Sequence, residues 1–323
     1  MNDFKKRMGA ATLGCLLSAG LILTPAAAGA PPLPSATYER SEASVPDTAV
    51  RSVPEVAETT TAQTAVRAAD TSYVPVRLGG EEVANRSAVL KNGLTYVPLR
   101  YFCTYITGGS AAVTWNASSR VATVTTSTLT LTAGEGKTYL TANGRCFYTA
   151  GAILNLGGTL YVPLRPLAKA FGLDVAWDTA TRSVTLTGNP RTYVLPSAEE
   201  VYDADELYWL SRIISAEARG EPFTGQIAVG NVVLNRCASR EFPNSIWGVI
   251  FDRKHGTQFT PVATGTIYQT PTASSVTAAK ICLEGYSIST QALYFFNPKI
   301  ATSSWISRNC TYLFTIGTHK FYK

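Results

Sequence analysis

The sequence predicts an α+β multidomain protein in which a β-rich, internally duplicated region is followed by a mainly α domain. Three observations carry this. The stretch from Ser72 to Gly188 alternates Val, Thr and Leu with Gly and Asn punctuation, the texture of strands. Within it Gly93-Leu94-Thr95-Tyr96-Val97-Pro98-Leu99-Arg100 returns as Gly158-Thr159-Leu160-Tyr161-Val162-Pro163-Leu164-Arg165, the mark of a duplicated unit. From Asp205 onward, apolar residues recur at helical spacing instead.

Taken from the N-terminus, residues 1–30 read as a secretory signal. Lys5, Lys6 and Arg7 precede the apolar run from Ala10 to Thr24, and small residues fill Ala26 to Ala30. That run is short for a bilayer span, and no later one is long enough for a membrane helix. A secreted chain with no membrane span after signal removal is therefore expected. Residues 31–71 are rich in Pro, Ala, Thr, Ser and Glu, with almost no aromatic residues. Such a composition cannot bury a core, so a disordered linker is expected.

Residues 72–188 are the duplicated region. Val113-Thr114-Trp115-Asn116 returns as Val175-Ala176-Trp177-Asp178. Each unit reads as a strand, a Tyr-Val-Pro-Leu-Arg turn, a short helix and a strand pair around the Trp. Arg120 and Arg182, a few small residues beyond Trp-Asn and Trp-Asp, suit hairpin turns. Because Tyr96, Tyr161, Trp115 and Trp177 recur in register, they are expected in the core. Residues 189–204, with Pro190 and Pro196, are expected as a second linker, and residues 205–323 as the catalytic region. On this reading the repeats are a spacer, and residues 197–323 are expected to fold alone.

The catalytic region opens with one informative helix. Leu210, Ile213, Ile214 and Glu217 share a face, so a carboxylate stands where the period calls for an apolar residue. Asp203 or Asp205 can cap the start, and Gly220 with Pro222 can end it. A second apolar helix is expected from near Gly225, and a third with Thr270 as cap and Pro271 at its first position. A buried carboxylate resists ionising, and a raised pKa is what a general acid needs at neutral pH. The alternative is a helix-end Glu bonded to Arg219 or Arg236.

Charge and composition exclude several classes. The net charge of +6, with 15% charged residues, suits an anionic surface such as a bacterial wall. It is too weak and spread to argue for nucleic acid. Two histidines, His255 and His319, are a poor start for a zinc site, so no metal or cofactor is expected. Nothing places a Cys at an exposed helix start beside a His, as a cysteine peptidase needs. Of six cysteines, Cys15 lies in the signal, and the odd remainder argues against a complete disulfide framework. Cys103 and Cys146 could pair, whereas Cys237 and Cys282 read as small core residues on helices.

The duplicated region resembles the stalk-type domain named after the N-terminal domain of copper amine oxidases. The name implies copper, but neither histidine lies in this region. Further on, six motifs occur in order: Ala216-Glu217-Ala218-Arg219-Gly220-Glu221-Pro222, residues 228–236, Phe242-Pro243-Asn244-Ser245-Ile246, Gln258-Phe259-Thr260-Pro261-Val262, residues 292–298 and residues 316–322. Together they resemble the cell-wall hydrolase domain of the spore cortex-lytic enzymes, the SleB/CwlJ family. The resemblance implies a lysozyme-like catalytic domain that cleaves peptidoglycan glycan strands between N-acetylmuramic acid and N-acetylglucosamine, with Glu217 as the catalytic glutamate.

Gln258 and Phe259 resemble the Gln-bearing motif of lysozyme-like transglycosylases, and Tyr294 and Asn297 their aromatic-Asn segment. With Glu221 and His319 they are the candidate substrate contacts. The alternatives are helix-end solvation for Glu221, packing for Tyr294, a turn at Asn297-Pro298 and a structural His319. A lytic transglycosylase needs one Glu, whereas a muramidase needs a second carboxylate, for which Glu221 is the first candidate and Asp252 reads as a loop residue. A non-catalytic wall-binding protein is the other alternative. The cortex-lytic enzymes usually carry a peptidoglycan-binding module where this chain has stalk repeats, which leaves spore cortex or vegetative wall open as the target.

Overall fold

In the computed structural model the two Tyr-Val-Pro motifs pair with each other. Strands β1 (Ser72–Tyr73), β2 (Val76–Leu78), β3 (Glu81–Glu82), β4 (Val89–Lys91) and β5 (Leu94–Pro98) come first among the described residues. Helix α1 (Leu99–Ile106) follows directly, then β6 (Ala112–Asn116), β7 (Val121–Thr125), β8 (Thr130–Gly134), β9 (Tyr139–Ala142), β10 (Arg145–Tyr148), β11 (Leu154–Leu156) and β12 (Thr159–Pro163). The second copy closes with α2 (Leu164–Ala170), β13 (Asp174–Asp178) and β14 (Ser183–Thr187). β5 and β12 run antiparallel with Tyr96 opposite Pro163, Val97 opposite Val162 and Pro98 opposite Tyr161. The duplicated motif therefore forms the centre of a sheet of order β1-β4-β5-β12-β11. Tyr-Val-Pro is strand and Leu-Arg starts a helix, so the motif expected as a turn is a strand-to-helix junction.

The residues described are 72–84, 86–254, 258–301 and 304–323. The signal and first linker expected over residues 1–71 lie outside them, as does His255. All described residues belong to one unit, Ala65–Lys323.

The hairpins expected around the tryptophans are present. Asn116 Oδ1 accepts from Ser119 N at 3.0 Å, Asp178 Oδ1 accepts from Ala180 N at 2.8 Å, and Arg120 and Arg182 both adopt positive φ. Yet Trp115 and Trp177 are 43% and 39% exposed, not core. The reason is topological: β6 and β13 are the outer strands of their sheets, and four of the five residues in each are exposed. Of the recurring aromatics, Tyr96 is buried and Tyr161 half-buried. All five described cysteines are free; Cys103 belongs to the first core and Cys146 to the second, so they do not pair.

Residues 189–204 are docked rather than free. Leu195 is buried in the first core, and its carbonyl accepts from Asn143 Nδ2 at 3.0 Å. Ser197 caps the short helix α3 (Ala198–Val201) through a capping box with Glu200.

The C-terminal region holds α4 (Ala204–Ala218), α5 (Phe223–Ala238), α6 (Ile246–Phe251), α7 (Thr260–Thr264) and α8 (Ala273–Leu283). A three-stranded sheet follows from β15 (Tyr294–Phe296), with helix α9 (Trp305–Asn309) before β16 (Tyr312–Ile316) and β17 (His319–Tyr322). Asp203 caps α4, its carboxylate accepting from Asp205 N and Glu206 N at 3.0 Å each. The cap of α8 is Thr272 rather than Thr270, because its hydroxyl is the one that reaches Ser275 N, at 3.1 Å. Leu210, Ile213 and Ile214 of α4 meet Ile227, Val229, Val232 and Val233 of α5 and Ala278, Ala279 and Ile281 of α8 in a second core. Gly230 marks where the three helices cross. A Cβ there would stand 2.7 Å from Cys282 Sγ and 2.8 Å from Ile214 Cδ1, so no larger residue fits.

Candidate active site

Glu217 sits in the last turn of α4, on the face that carries Leu210, Ile213 and Ile214, and is half-buried. Burial disfavours its charged form and pushes the carboxyl up to about 7, while the charge of Arg236 opposes the shift. The helix-end ion pair is not formed. Among the described residues no salt bridge joins Glu217 to Arg219 or Arg236, and Arg219 donates instead to Gln269 Oε1 at 3.0 Å.

Arg236, in the last turn of α5, is the residue that spacing alone did not single out as part of the site. It is only 5% exposed. Its Nε donates to Leu293 O at 2.7 Å, and its guanidinium lies 4.8, 5.2 and 5.4 Å from the ring centres of Phe242, Phe259 and Tyr294. Such a cage holds the cation by its attraction to ring faces. Burial lowers its pKa to about 10, against the charges of Tyr294, Asp252 and Glu217. Glu217 thus faces a fixed positive charge without bonding to it. The sequence signal was present: the single charged residue of the helix, three residues after Val233.

The candidate contacts fall into two groups. Phe259 and Tyr294 surround Arg236. Phe259 is 3% exposed and part of the core, so it supports the guanidinium from below and offers no face to a sugar. Tyr294 is half-buried, with Phe242 and Trp305 each 6.1 Å from its ring. Gln258 is half-buried beside Phe259.

Glu221, Asn297 and His319 form the second group, gathered around Thr318. Thr318 N donates to Glu221 Oε2 at 2.8 Å, Thr318 Oγ1 donates to Glu221 Oε1, and Asn297 Nδ2 donates to Thr318 Oγ1 at 3.0 Å. Burial raises the Glu221 carboxyl, but the two bonds from Thr318 and the nearby His319 outweigh it and hold it below the usual range. His319 is buried, its ring tilted against that of Phe295 with centres 5.1 Å apart; burial lowers its pKa against the pull of Glu221. Its Nδ1 and Arg236 Nη1 are buried with no hydrogen-bond partner in the structure.

Glu221 therefore ties the β16–β17 turn to the segment just past the end of α4. Gly317 makes that tie possible, with φ +58° and no room beside it. A Cβ there would clash with Glu221 Oε2 and stand 2.7 Å from Pro222 Cδ. Gly317→Ala is expected to destabilise the protein by about 2 kcal/mol or more, from left-handed strain plus the lost tie, as read by denaturant unfolding. An unchanged midpoint would mean that the turn is not held this way.

Copper does not fit the stalk. Its donor set holds no histidine, and among the described residues no cluster of three His, Cys, Asp or Glu has the geometry to hold a metal ion. No described helix is long and apolar enough to cross a membrane.

Residues 220–322 match the family described as Cell Wall Hydrolase, and residues 77–186 the Copper amine oxidase N-terminal domain. Glu217 stands just before the first of these segments. The chain is 40% identical over 122 residues to a spore cortex-lytic enzyme of Bacillus cereus, covering 38% of this chain and 46% of that one. It is 43% identical over 105 residues to the spore cortex-lytic enzyme of Bacillus subtilis, covering 32% and 33%. The chain thus spans less than half the length of these curated relatives. A solved structure, the catalytic domain of the germination-specific lytic transglycosylase SleB from Bacillus anthracis, aligns at 39% identity over 40% of this chain and 100% of that one, with a TM-score of 0.35. The chain carries a cell wall hydrolase domain preceded by a copper amine oxidase N-terminal domain, in a mixed α+β architecture.

Proposed function

We propose that the hydrolase domain cleaves the bond between N-acetylmuramic acid and N-acetylglucosamine in peptidoglycan, as a lytic transglycosylase with Glu217 as its single acid and base. The observation that carries this is the half-buried Glu217 carboxyl, raised to about 7 and free of any direct ion pair among the described residues. Such a group is about half protonated at neutral pH, so it can both give up a proton and take one back. Glu217 protonates the leaving glycosidic oxygen, and the C1–O bond breaks. The muramic 6-hydroxyl then attacks C1, and the Glu217 carboxylate takes the hydroxyl proton. No water is consumed, and the attacking group gains from being held beside C1. Tyr294, half-buried beside Arg236, supplies an aromatic face for a sugar ring. Secretion to the wall fits this substrate, with spore cortex the target by likeness to the cortex-lytic relatives.

Glu221 is a weak candidate for a second carboxylate, since both its oxygens are engaged by Thr318. A hydrolytic muramidase remains the second reading because Asp252, not Glu221, shares the field of Arg236 with Glu217. Mass analysis of digested peptidoglycan separates the two. Transglycosylation leaves 1,6-anhydromuramic ends, about one water lighter and inert to borohydride, as follows when no second carboxylate serves a water or a covalent intermediate. Reducible muramic ends would overturn the single-Glu mechanism and turn attention to Asp252. No glycan product at all would favour a wall-binding protein.

A further inference from the structure

The β-repeat region is not set apart from the hydrolase domain by a free linker, and the contact between them reaches toward the active site. Its centre is Glu284, just past α8, whose side chain is 4% exposed. Arg145 of β10 holds it with two bonds, Nε to Oε1 at 2.7 Å and Nη2 to Oε2 at 2.8 Å. Lys169 adds a third at 3.2 Å and the Tyr202 hydroxyl a fourth at 2.9 Å. Burial raises the Glu284 carboxyl, but these partners outweigh it and keep it ionised below the usual range. Beside this clamp the Tyr148 ring of β10 lies 4.3 Å from that of Tyr286, and Cys146 completes the hydrolase core.

From this clamp the chain runs straight to the site, bonded along α5 at each step. The Tyr286 carbonyl accepts from Asn231 Nδ2 at 2.9 Å, and Ile288 N donates to Asn231 Oδ1 at 2.8 Å. The carbonyls of Ser289 and Ala292 accept from Asn235 Nδ2 at 2.8 and 2.9 Å. The Leu293 carbonyl accepts from Arg236, and Tyr294 packs on that guanidinium. A segment pinned at one end by the stalk therefore forms the support of Arg236 and Tyr294 at the other.

We propose that the β-repeat region is a positioning element of the active site: by clamping Glu284 and Tyr286 it fixes residues 284–293, and through them sets Arg236 and Tyr294 relative to Glu217. Arg145 and Tyr148 are then positioning residues, although neither belongs to the hydrolase domain. This rests on the reading of Glu217 as the acid. It also departs from the expectation that the repeats are a mere spacer and that residues 197–323 suffice.

The test leaves every hydrolase residue unchanged. Arg145→Met, Arg145→Lys and Tyr148→Ala are made in the full chain and assayed on soluble peptidoglycan fragments, so that wall attachment plays no part. Arg145→Met and Tyr148→Ala should lower kcat about tenfold while KM stays within about twofold, as expected when geometry and not ground-state binding is disturbed. Arg145→Lys, which keeps the charge, should retain most of kcat. Amide hydrogen exchange should quicken over residues 286–293 in the first two variants and stay slow in α4. Quickened exchange with unchanged kcat would overturn the proposal, as would unchanged exchange in both variants. Should Arg145→Met unfold the chain, Tyr148→Ala carries the comparison, since it removes a ring and no buried charge. If the parent chain does not cut the fragments, the glycan-cleaving reading fails instead, and hydrogen exchange still decides whether the stalk holds the segment.

Discussion

Glu217→Gln is expected to lower peptidoglycan turnover by at least about a hundredfold, the low end of what a positioned acid and base contributes. Gln keeps the shape and hydrogen-bonding reach of the side chain but has no proton to exchange, so the fold should persist. Two further readouts separate this from a packing effect. The parent activity should fall as pH rises past about 7, because the acid must be protonated at the start of the reaction. Stability should respond with a definite sign. The folded state holds Glu217 at about 7, above its ordinary 4.5, so the native protein binds that proton more tightly than the unfolded chain does. The resulting destabilisation is absent below about pH 4.5, grows up to about pH 7 and is constant above. Glu217→Gln removes it, so at pH 8 the variant should be more stable than the parent by about 2 kcal/mol, after allowing for partial exposure, and the gain should vanish near pH 4. A Gln variant with near-parent turnover would end the assignment. A stability gain that does not depend on pH would mean that Glu217 is not the group held protonated.

Replacing Arg236 should give the second largest effect, on both stability and the pH profile. Arg236→Met keeps a long apolar stem among Phe242, Phe259 and Tyr294 but leaves the Leu293 carbonyl without its donor. A half-buried carbonyl left unpaired costs about 1 kcal/mol, the low end for such losses, which unfolding at pH 6 would register. The charge of Arg236 favours ionised Glu217, so its loss should raise the Glu217 pKa and move the alkaline fall in activity above pH 7. Turnover should drop about tenfold as Leu293 and Tyr294 loosen. Arg236→Lys keeps the charge and should leave the pH limb in place. If the limb of the Met variant stays where the parent has it, the charge of Arg236 does not reach Glu217, and its role is confined to packing.

The candidate site was legible where its signals are local. Helix α4 announces itself by period, Asp203 by its place before the first turn, and Glu217 by breaking the apolar face that carries Leu210 and Ile213. The duplicated Tyr-Val-Pro-Leu-Arg and the hairpins at Arg120 and Arg182 were equally plain, since motifs and turns are written in consecutive residues. The choice of partner across space was not. Period shows which face of α5 is buried, yet not that Arg236 ends among three rings opposite Glu217 in place of an ion pair. Glu221 follows Glu217 closely in sequence, but its oxygens are taken by Thr318 near the other end of the domain. Trp115 and Trp177 recur in register and are still exposed, because a residue's burial depends on whether its strand lies at an edge. The grip of Arg145 on Glu284 joins residues 139 positions apart. Sequence pattern reports how one segment distributes its own apolar surface, whereas pairings of this kind exist only once separate elements have packed and left a buried charge among the few neighbours able to satisfy it.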